Sequence, residues 1–328
     1  MESTKSKKYN KPLIVYRIKT PKVFDITKKM IKFLIESNFV EYIYIENMKE
    51  INSEIIFGNN EKQKYFKLFD LEKEDSNLCI IIGGDGTCLW ANVLYKDKEK
   101  PPFLSFHGGN LGFLAIYYPE DYEKIFTELY TADNHSFIKR KEIKVCLYEK
   151  EDYDKDKANI YDFTGYKLKA TYNALNELIM EKKANMSHLY LFLEDGLLAK
   201  VSSDGVICAT PTGSTAYSLS AGGPILHNNI DGIILTSICP FSLSFRPIVF
   251  PSNIKLRIKN DTSHPFCNST IKMDGYDKGI LEDNQYLEMS LSDKSIDFIV
   301  LKNIEENLDK LWIKKLSKSL GWNYAFSH

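Results

Sequence analysis

The chain has 328 residues, of which 44% are hydrophobic and 27% are charged. This composition excludes a disordered or fibrous chain, and the length suggests about two domains. Lys and Arg together number 43 and Asp and Glu 44, so the formal net charge is −1. Domains that bind duplex nucleic acid are usually basic, and we therefore expect no nucleic-acid partner.

Cysteine spacing and hydropathy predict the cellular compartment. The six cysteines include no C-x-x-C pair, which favours free thiols in a reducing compartment. No stretch has the roughly 18 apolar residues that a membrane span needs. The N-terminal residues lack the apolar centre of a signal peptide. We therefore expect a cytoplasmic protein with no membrane partner.

The first 138 residues predict alternating strands and helices. A short apolar run at 13–16 is followed by apolar residues at helical spacing over 26–35, and then by a strand-like run at 40–45. A continuous apolar run at 78–82 ends in glycines, as buried parallel strands do where they meet a loop. The pattern predicts an α/β domain with a Rossmann-like or phosphofructokinase-like parallel sheet.

The character of the chain changes after residue 138. Residues 139–301 carry short strand-like runs separated by turn residues, which predicts a second domain rich in β-sheet. The stretch 308–320 is helical again, with apolar residues on one face. We expect this last helix to return to the first domain, so that residues 302–328 complete it.

A glycine motif follows the apolar run at 78–82. Residues 83–87 read Gly-Gly-Asp-Gly-Thr and precede residues 89–94, which can be helical. A strand–loop–helix unit directs backbone N–H groups and a helix N-terminus at one point, where a phosphate binds well. A tight turn with a capping aspartate is the alternative, and the motif alone leaves both interpretations open.

Two further polar segments are candidates for ligand binding. Residues 209–217 follow a strand-like run and contain four Ser or Thr hydroxyls, a proline, a glycine and a tyrosine, which suit a ligand with ribose and amide edges. An ordinary loop is the alternative. Asn176 and Glu177 form an amide–carboxylate pair, for which a helix cap or a surface pair is the alternative. No histidine has metal-binding spacing, and we assign no protein ligand to a metal.

In combination these segments resemble the NAD kinase family. The family has Gly-Gly-Asp-Gly-Thr, an Asn-Glu pair and Thr-Pro-Thr-Gly-Ser-Thr-Ala-Tyr in this order, and they stand here at 83–87, 176–177 and 210–217. Leu-Gly-Phe-Leu at 111–114 and Ser-Leu-Ser-Phe-Arg-Pro at 242–247 are also in family positions, and the end of the chain resembles the eukaryotic branch. The resemblance implies two domains, the substrates ATP and NAD, a divalent metal such as Mg²⁺, and a homodimer or homotetramer.

The resemblance also implies roles for single residues. Asp85 would accept the proton of the 2′-hydroxyl of the adenosine ribose of NAD while the γ-phosphoryl of ATP is transferred to that oxygen. Asn176 and Glu177 would hold the adenosine end, and Asp204 and Thr212 would face the nicotinamide half. The residues implied to bind the donor phosphates are Gly83, Gly84, Gly86 and Thr87; those implied to bind NAD are Asp85, Gly86, Asn176, Glu177, Asp204, Thr212, Thr215, Ala216, Tyr217 and Ser220.

The sequence departs from the family pattern near its end, and other functions share parts of it. Tyr276 follows Asp274 and Gly275, where the family commonly has Arg or Gln. Diacylglycerol- and sphingosine-type lipid kinases also carry the glycine motif, but they need a route for an acyl chain, which the sequence does not show. A catalytically idle NAD-sensing protein would not need Asp85. We therefore predict an ATP-dependent NAD kinase.

Overall fold

The computed structural model describes residues 8–17, 20–73, 75–96, 98–109, 112–132, 134–264, 269–302 and 308–321. Leu111 of the family motif and the chain beyond residue 321 lie outside this range. The chain divides into two compact units, of which unit 1 comprises residues 1–139 and 296–328 and unit 2 comprises residues 140–295. The sequence pattern places these divisions after residues 138 and 301, and the assignment of functional domains stays a prediction.

The helices and strands alternate in the first part of the chain, and strands dominate the second. The helices are α1 (Pro21–Glu36), α2 (Ser53–Phe57), α3 (Asp85–Leu94), α4 (Tyr122–Thr131), α5 (Tyr217–Ser220) and α6 (Leu308–Leu320). The strands are β1 (Pro12–Tyr16), β2 (Ile43–Ile45), β3 (Phe66–Leu68), β4 (Leu78–Gly83), β5 (Phe103–His107), β6 (His135–Glu149), β7 (Lys167–Ala174), β8 (Glu177–Lys182), β9 (Ser187–Leu193), β10 (Gly196–Ser203), β11 (Gly205–Ala209), β12 (Gly232–Ile238), β13 (Ile248–Pro251), β14 (Leu256–Asn260), β15 (Ser269–Met273), β16 (Tyr276–Ile280) and β17 (Gln285–Leu301).

Unit 1 is built on a parallel sheet. Its strand order is β3-β2-β1-β4-β5, followed by the end of β17, and all of these neighbours pair in parallel. β4 is buried along its whole length, which explains its continuous apolar sequence. α1 and α3 pack on β1 and β4. The order 3-2-1-4-5 is that of a Rossmann-type sheet, and such sheets bind ligands at the carboxyl ends of their strands.

Unit 2 consists mainly of antiparallel strands in two sheets. One sheet has the order β13-β12-β11-β8-β15-β16, and the other contains β10, β9, β14 and the start of β17, with β6 and β7 beside them. The core contains Met180 and Val206 from the first sheet and Leu191 and Ile258 from the second. The fold class predicted from the sequence, a parallel α/β domain and a β-rich domain, is confirmed.

Two helices begin earlier than the apolar pattern indicates. α1 begins at Pro21, before the apolar pattern at 26–35, because a proline in the first turn has a backbone angle that suits a helix and needs no N–H partner. α3 begins at Asp85 rather than at residue 89, so most of the glycine motif is helical. α6 spans the predicted residues 308–320 and belongs to unit 1, as expected.

Candidate active site

The carboxyl end of β4 leads directly into α3. β4 ends at Gly83 and α3 begins at Asp85, so Gly84 is the single residue between strand and helix. The first backbone N–H groups of a helix have no partner within it, and the helix dipole favours an anion there. This position therefore suits a phosphate group, while the individual phosphate contacts stay predictions.

Asp85 is held by a row of backbone N–H groups. Its Oδ2 accepts a hydrogen bond from the N–H of Phe113 (2.8 Å), and its Oδ1 accepts from Leu114 (2.9 Å) and Ala115 (3.3 Å). A Cβ on Gly112 would collide with the same carboxylate, so the close approach requires glycine there. Two motifs of the sequence, at 83–87 and 111–114, thus meet in unit 1.

The glycines of the motif differ in their surroundings. A Cβ on Gly83 would overlap the hydroxyl of Thr87, so these two residues pack against each other. A Cβ added to Gly84 or to Gly86 would have no neighbouring atom within 4 Å. The open space beside Gly84 and Gly86 fits the prediction of a closely approaching ligand, whereas Gly83 and Thr87 have a packing role whatever they bind.

A cleft of about 510 Å³ opens at this motif within unit 1. Its lining includes the guanidinium-bearing Arg17 and two aromatic residues, Tyr16 and Trp90. Tyr16 donates to Glu50 (2.6 Å) and Trp90 donates to Glu46 (3.0 Å), which fixes both rings. A cation beside open glycines and fixed aromatic rings can bind a phosphate that is attached to a planar base.

A second cleft, of about 720 Å³, adjoins the same sheet edge and the first turns of α1. His107 ends β5 in register with Gly83 on β4, and its ring contacts Tyr118 edge-on at 4.2 Å between centroids. Burial lowers the pKa of His107, so the ring is neutral at pH 7. His107 is not among the site residues predicted from the sequence.

In unit 2, Asn176 directly precedes β8 and Glu177 is its first residue, and both are anchored by Asp274. The Asp274 carboxylate accepts hydrogen bonds from the backbone N–H groups of Leu175 (2.7 Å), Asn176 (2.8 Å) and Glu177 (3.1 Å). Asp274 and Gly275 form the two-residue turn between β15 and β16, with φ values of 48° and 84°. Such turns need left-handed backbone at both positions, which explains the Asp-Gly pair.

Glu177 is the most unusual titratable group of the corner formed by Asn176, Glu177 and Asp274. Its side chain belongs to a residue that is 6% exposed, and none of the described residues forms a hydrogen bond with its Oε2. Burial, and then the neighbouring Asp274, raise the pKa of Glu177 to about 8, although the backbone N–H of Tyr217 acts in the opposite direction. A buried oxygen without a partner costs free energy that a bound hydroxyl donor would recover.

Most hydroxyl groups of the segment 210–217 donate hydrogen bonds to backbone carbonyls. The hydroxyls of Thr210, Ser214 and Thr215 donate to the carbonyls of Leu175, Pro211 and Thr212, respectively. These hydroxyls therefore shape the loop, and the assignment of Thr215 to ligand binding stays a prediction.

The remaining residues of the segment complete this corner. Thr212 accepts from Arg140 at 3.4 Å. Gly213 packs against the backbone carbonyl of Asn176 too closely for a Cβ. Ala216 is half-buried, while Tyr217 and Ser220 are exposed.

Asp204 lies apart from these residues. β8 and β11 pair antiparallel with Glu181 opposite Gly205 and Glu177 opposite Ala209. Asp204 precedes Gly205 and binds Lys182 (2.6 Å) at the other end of the strand pair, roughly 17 Å from the Glu177 end at the usual rise per residue. The structure thus groups Asn176 and Glu177 with the 210–217 segment, but does not bring Asp204 to them.

No group of three or more potential metal ligands occurs among the residues that the structure describes. Within the same residues, no helix is long and apolar enough to cross a membrane. Arg17 and Trp90 join the candidate site without having been predicted. Their only sequence signal is that Arg17 follows β1 and that Trp90 lies in α3, so their proximity to the motif depends on the sheet topology.

Comparisons with known proteins agree with this arrangement. Residues 13–134 match the family model of the ATP-NAD kinase N-terminal domain, and residues 175–301 match that of the ATP-NAD kinase C-terminal domain. The mitochondrial NADH kinase pos5 of Schizosaccharomyces pombe is 33% identical over 79% of this chain and 62% of its own length. The chain therefore spans about three fifths of that relative.

Two further proteins cover the chain more fully. The NAD kinase of Fusobacterium nucleatum is 31% identical over 84% of this chain and 94% of its own length. The crystal structure of yeast NADH kinase complexed with NADH superposes with a TM-score of 0.80 at 25% identity and covers 97% of this chain and 89% of that chain. Both family models, a relative covered almost completely and the shared fold lead to one conclusion: the chain belongs to the NAD kinase family.

Proposed function

We propose that the protein transfers the γ-phosphoryl group of ATP to the 2′-hydroxyl of the adenosine ribose of NAD, giving NADP and ADP. The observation that carries the proposal is the buried Oε2 of Glu177, which has no hydrogen-bond partner among the described residues. Glu177 follows Asn176 in the family's Asn-Glu position, and its carboxyl group interacts with the N–H of Tyr217. A ribose diol supplies the hydroxyl donors that this oxygen lacks.

The acceptor side of the reaction is assigned to unit 2. Asn176 and Glu177 hold the adenosine end of NAD, because Asp274 fixes their backbone and leaves the Glu177 carboxyl available. Thr215, Ala216, Tyr217 and Ser220 border the ligand mainly through backbone and the tyrosine ring, since the Thr215 hydroxyl is already bound to Thr212. Thr212 and Asp204 stay assigned to the nicotinamide half as predictions.

The donor side is assigned to unit 1. The triphosphate approaches the open Gly84 and Gly86 at the start of α3, and Arg17 neutralises part of its charge. Gly83 and Thr87 support this turn by packing against each other. Phosphoryl transfer depends mainly on positioning and on neutralisation of charge, which N–H groups and one guanidinium can provide.

Asp85 is assigned as the proton acceptor. As the 2′-oxygen of the ribose forms its bond to the γ-phosphorus, the bond from that phosphorus to ADP breaks and the hydroxyl proton passes to the carboxylate. Three N–H groups occupy at most three of the four acceptor positions of a carboxylate, so one position is left for the substrate hydroxyl.

Mg²⁺ is assigned to the donor rather than to the protein. The described residues offer no ligand cluster for a metal, and the Asp85 carboxylate is engaged by backbone N–H groups. When bound with ATP, the ion neutralises phosphate charge. The roles derived above for Asp85, Gly84 and Glu177 do not depend on a protein-bound metal.

A direct assay tests the function. Purified protein with ATP and NAD should form NADP, detected by an NADP-specific dehydrogenase, and the same assay with NADH tests the reduced substrate. 2′-Deoxy-NAD should bind as an inhibitor and accept no labelled phosphate. The absence of NADP formation by a folded protein, or labelling of the 2′-deoxy analogue, would contradict the proposal. Sphingosine and diacylglycerol, tested in parallel, address the lipid-kinase alternative.

The cellular setting is proposed separately from the chemistry. We propose a cytoplasmic homodimer or homotetramer, supported by the free thiols of Cys146, Cys208 and Cys239 and by the family membership. Light scattering at assay concentration measures the oligomeric state, and fractionation of the source cells measures the compartment. A monomer or a purely mitochondrial protein would contradict the respective proposal.

A further inference from the structure

Lys315 of α6 is a buried cation that points at the backbone of another segment. The residue is 3% exposed, although lysine is rarely buried. Its Nζ donates hydrogen bonds to the backbone carbonyl oxygens of Ala115 (2.8 Å) and Phe113 (3.1 Å). A buried ammonium needs such partners, because its desolvation is costly. Through these two hydrogen bonds α6 binds the segment 113–115, although Lys315 follows that segment by 200 residues in the sequence.

The same segment holds Asp85 with its N–H groups. The peptide group between Phe113 and Leu114 is the clearest link, because its carbonyl oxygen accepts from Lys315 and its N–H donates to Asp85 Oδ1 at 2.9 Å. A peptide group is rigid and planar, so the positions of its oxygen and its N–H are coupled. The dipole of this group lies between an ammonium and a carboxylate, which strengthens both hydrogen bonds.

Strand β5 also forms hydrogen bonds with the segment 113–115 and with the residue that follows it. The hydroxyl of Ser105 on β5 donates to the carbonyl of Leu114 (2.8 Å), and the N–H of Ile116 donates to the Ser105 carbonyl (3.0 Å). β5 therefore fixes the segment relative to the sheet, and Lys315 fixes its carbonyls relative to α6. All of these residues belong to unit 1.

Lys315 lies outside both regions that match the family models, which end at residues 134 and 301. α6 is held in unit 1 by burial of Leu311 and Leu316. The contact with segment 113–115 is therefore a feature of this chain's last helix that the two matched domains do not contain.

We infer that Lys315 is a positioning residue for phosphoryl transfer: through the backbone of residues 113–115 it sets the place of the Asp85 carboxylate. The inference rests on the proposed function, in which Asp85 accepts the proton of the ribose hydroxyl. A proton acceptor displaced by about an ångström can lose about 100-fold in rate, so a contact that fixes the acceptor acts on turnover more than on binding.

The test compares Lys315→Met with Lys314→Met. Lys314 is the adjacent, exposed lysine of the same helix and provides the matched control. Lys315→Met keeps the length of the side chain but removes the charge and the donors. We expect kcat to fall about tenfold or more, with KM for ATP and for NAD changed less than about twofold. Lys315→Arg, which restores a charged donor, should recover part of the rate.

A second readout does not depend on activity. Hydrogen exchange of the Phe113, Leu114 and Ala115 N–H groups should be faster in Lys315→Met than in Lys314→Met, because their acceptor Asp85 is held less firmly. If the wild-type protein makes no NADP but this exchange effect is present, the proposed function fails while the link to Asp85 stands.

Other results overturn the inference. A folded Lys315→Met enzyme with kcat within about twofold of wild type would do so, as would equal exchange in the two variants. A parallel rise of both KM values without recovery in Lys315→Arg would indicate general damage instead. If Lys315→Met does not fold, Lys315→Gln, which keeps an uncharged NH2 donor group on a shorter side chain, takes its place. An unchanged kcat overturns the inference, and a reduced kcat with unchanged KM values supports it.

Discussion

Two aspartates, one in each unit, are bound by backbone N–H groups in the same way but differ in how accessible their carboxylates are. Asp85 accepts hydrogen bonds from the backbone N–H groups of Phe113, Leu114 and Ala115. Asp274 accepts hydrogen bonds from the backbone N–H groups of residues 175–177. In each case a carboxylate gathers three consecutive N–H groups of a distant segment. Charge-assisted hydrogen bonds of this kind are among the stronger ones in proteins.

The difference between them lies in burial and backbone. Asp274 is 7% exposed, and burial raises its pKa to about 6 in spite of the three N–H groups. It is enclosed in a hairpin turn, where it fixes Asn176 and Glu177. Asp85 is only half-buried, at the start of a helix and next to the open Gly86. The comparison indicates that Asp274 supports a binding corner and that Asp85 can itself meet a substrate.

The largest effect is expected for Asp85→Asn. Asparagine has one acceptor oxygen, and its amide nitrogen would face at least one N–H of the segment 113–115. We expect kcat to fall about 100-fold or more, because the proton acceptor is lost, while the melting temperature falls only slightly. Steady-state kinetics and thermal melting of the purified variant measure both quantities. A variant with near-normal turnover would show that Asp85 is an anchor like Asp274.

Asp274→Asn should affect binding of one substrate rather than turnover. The variant loses part of the hydrogen bonding to Leu175, Asn176 and Glu177, so the corner that we propose to hold the adenosine of NAD loosens. We expect KM for NAD to rise about tenfold, with KM for ATP changed far less and the free energy of unfolding lowered by about 1–3 kcal/mol. Kinetics with each substrate varied in turn make the distinction. Equal increases of both KM values would contradict a role confined to the proposed NAD-binding residues Asn176 and Glu177.

Glu177 should make the stability of the NAD-free protein depend on pH. Its pKa is about 8 in the folded protein against an ordinary value of 4.5, so between these values the folded state keeps a proton that the unfolded chain has released. Stability therefore falls as pH rises through this window. Glu177→Gln removes the buried charge and should be more stable than wild type at pH 9 by about 1–3 kcal/mol, but not at pH 5.

Glu181→Gln is the matched control for this measurement. Glu181 lies on the same strand, but its carboxylate pairs with Lys272. Denaturant unfolding at both pH values should show no gain of stability for Glu181→Gln at pH 9. A Glu177→Gln protein that responds to pH like wild type would mean that Glu177 titrates normally.

The sequence predicted those parts of the molecule that depend on local patterns. Continuous apolar runs identified β1 and β4, and apolar spacing identified α6, because burial on one or both faces leaves a periodic signal. The order of three motifs was enough to predict the candidate site at Asp85 and at Asn176. The start of α3 differs from the prediction, since glycines are weak helix formers and Gly84 and Gly86 flank its first residue, Asp85.

The rest depends on contacts between distant residues. Nothing near Lys315 in the sequence indicates that it reaches Phe113 and Ala115. Nothing in the sequence indicates that the hydroxyl of Thr215 binds the backbone three residues earlier, as Ser and Thr hydroxyls often do in loops. Asp204 is close to the 210–217 segment in sequence, yet the antiparallel strand β11 carries the chain away from it.

The smallest expected effects concern the glycines beside Asp85, and they test whether its open side faces the donor. Gly84 is extended and has free space for a Cβ, so Gly84→Ala should fold normally. The added methyl group would stand where a phosphate approaches, and KM for ATP should rise about threefold to tenfold while KM for NAD is unchanged. Gly83→Ala is the contrasting variant, because its Cβ overlaps the Thr87 hydroxyl and should lower the melting temperature instead. Kinetics and melting curves of the two proteins separate the cases. If Gly84→Ala leaves KM for ATP unchanged, the donor does not approach this turn, and the open side of Asp85 serves another ligand.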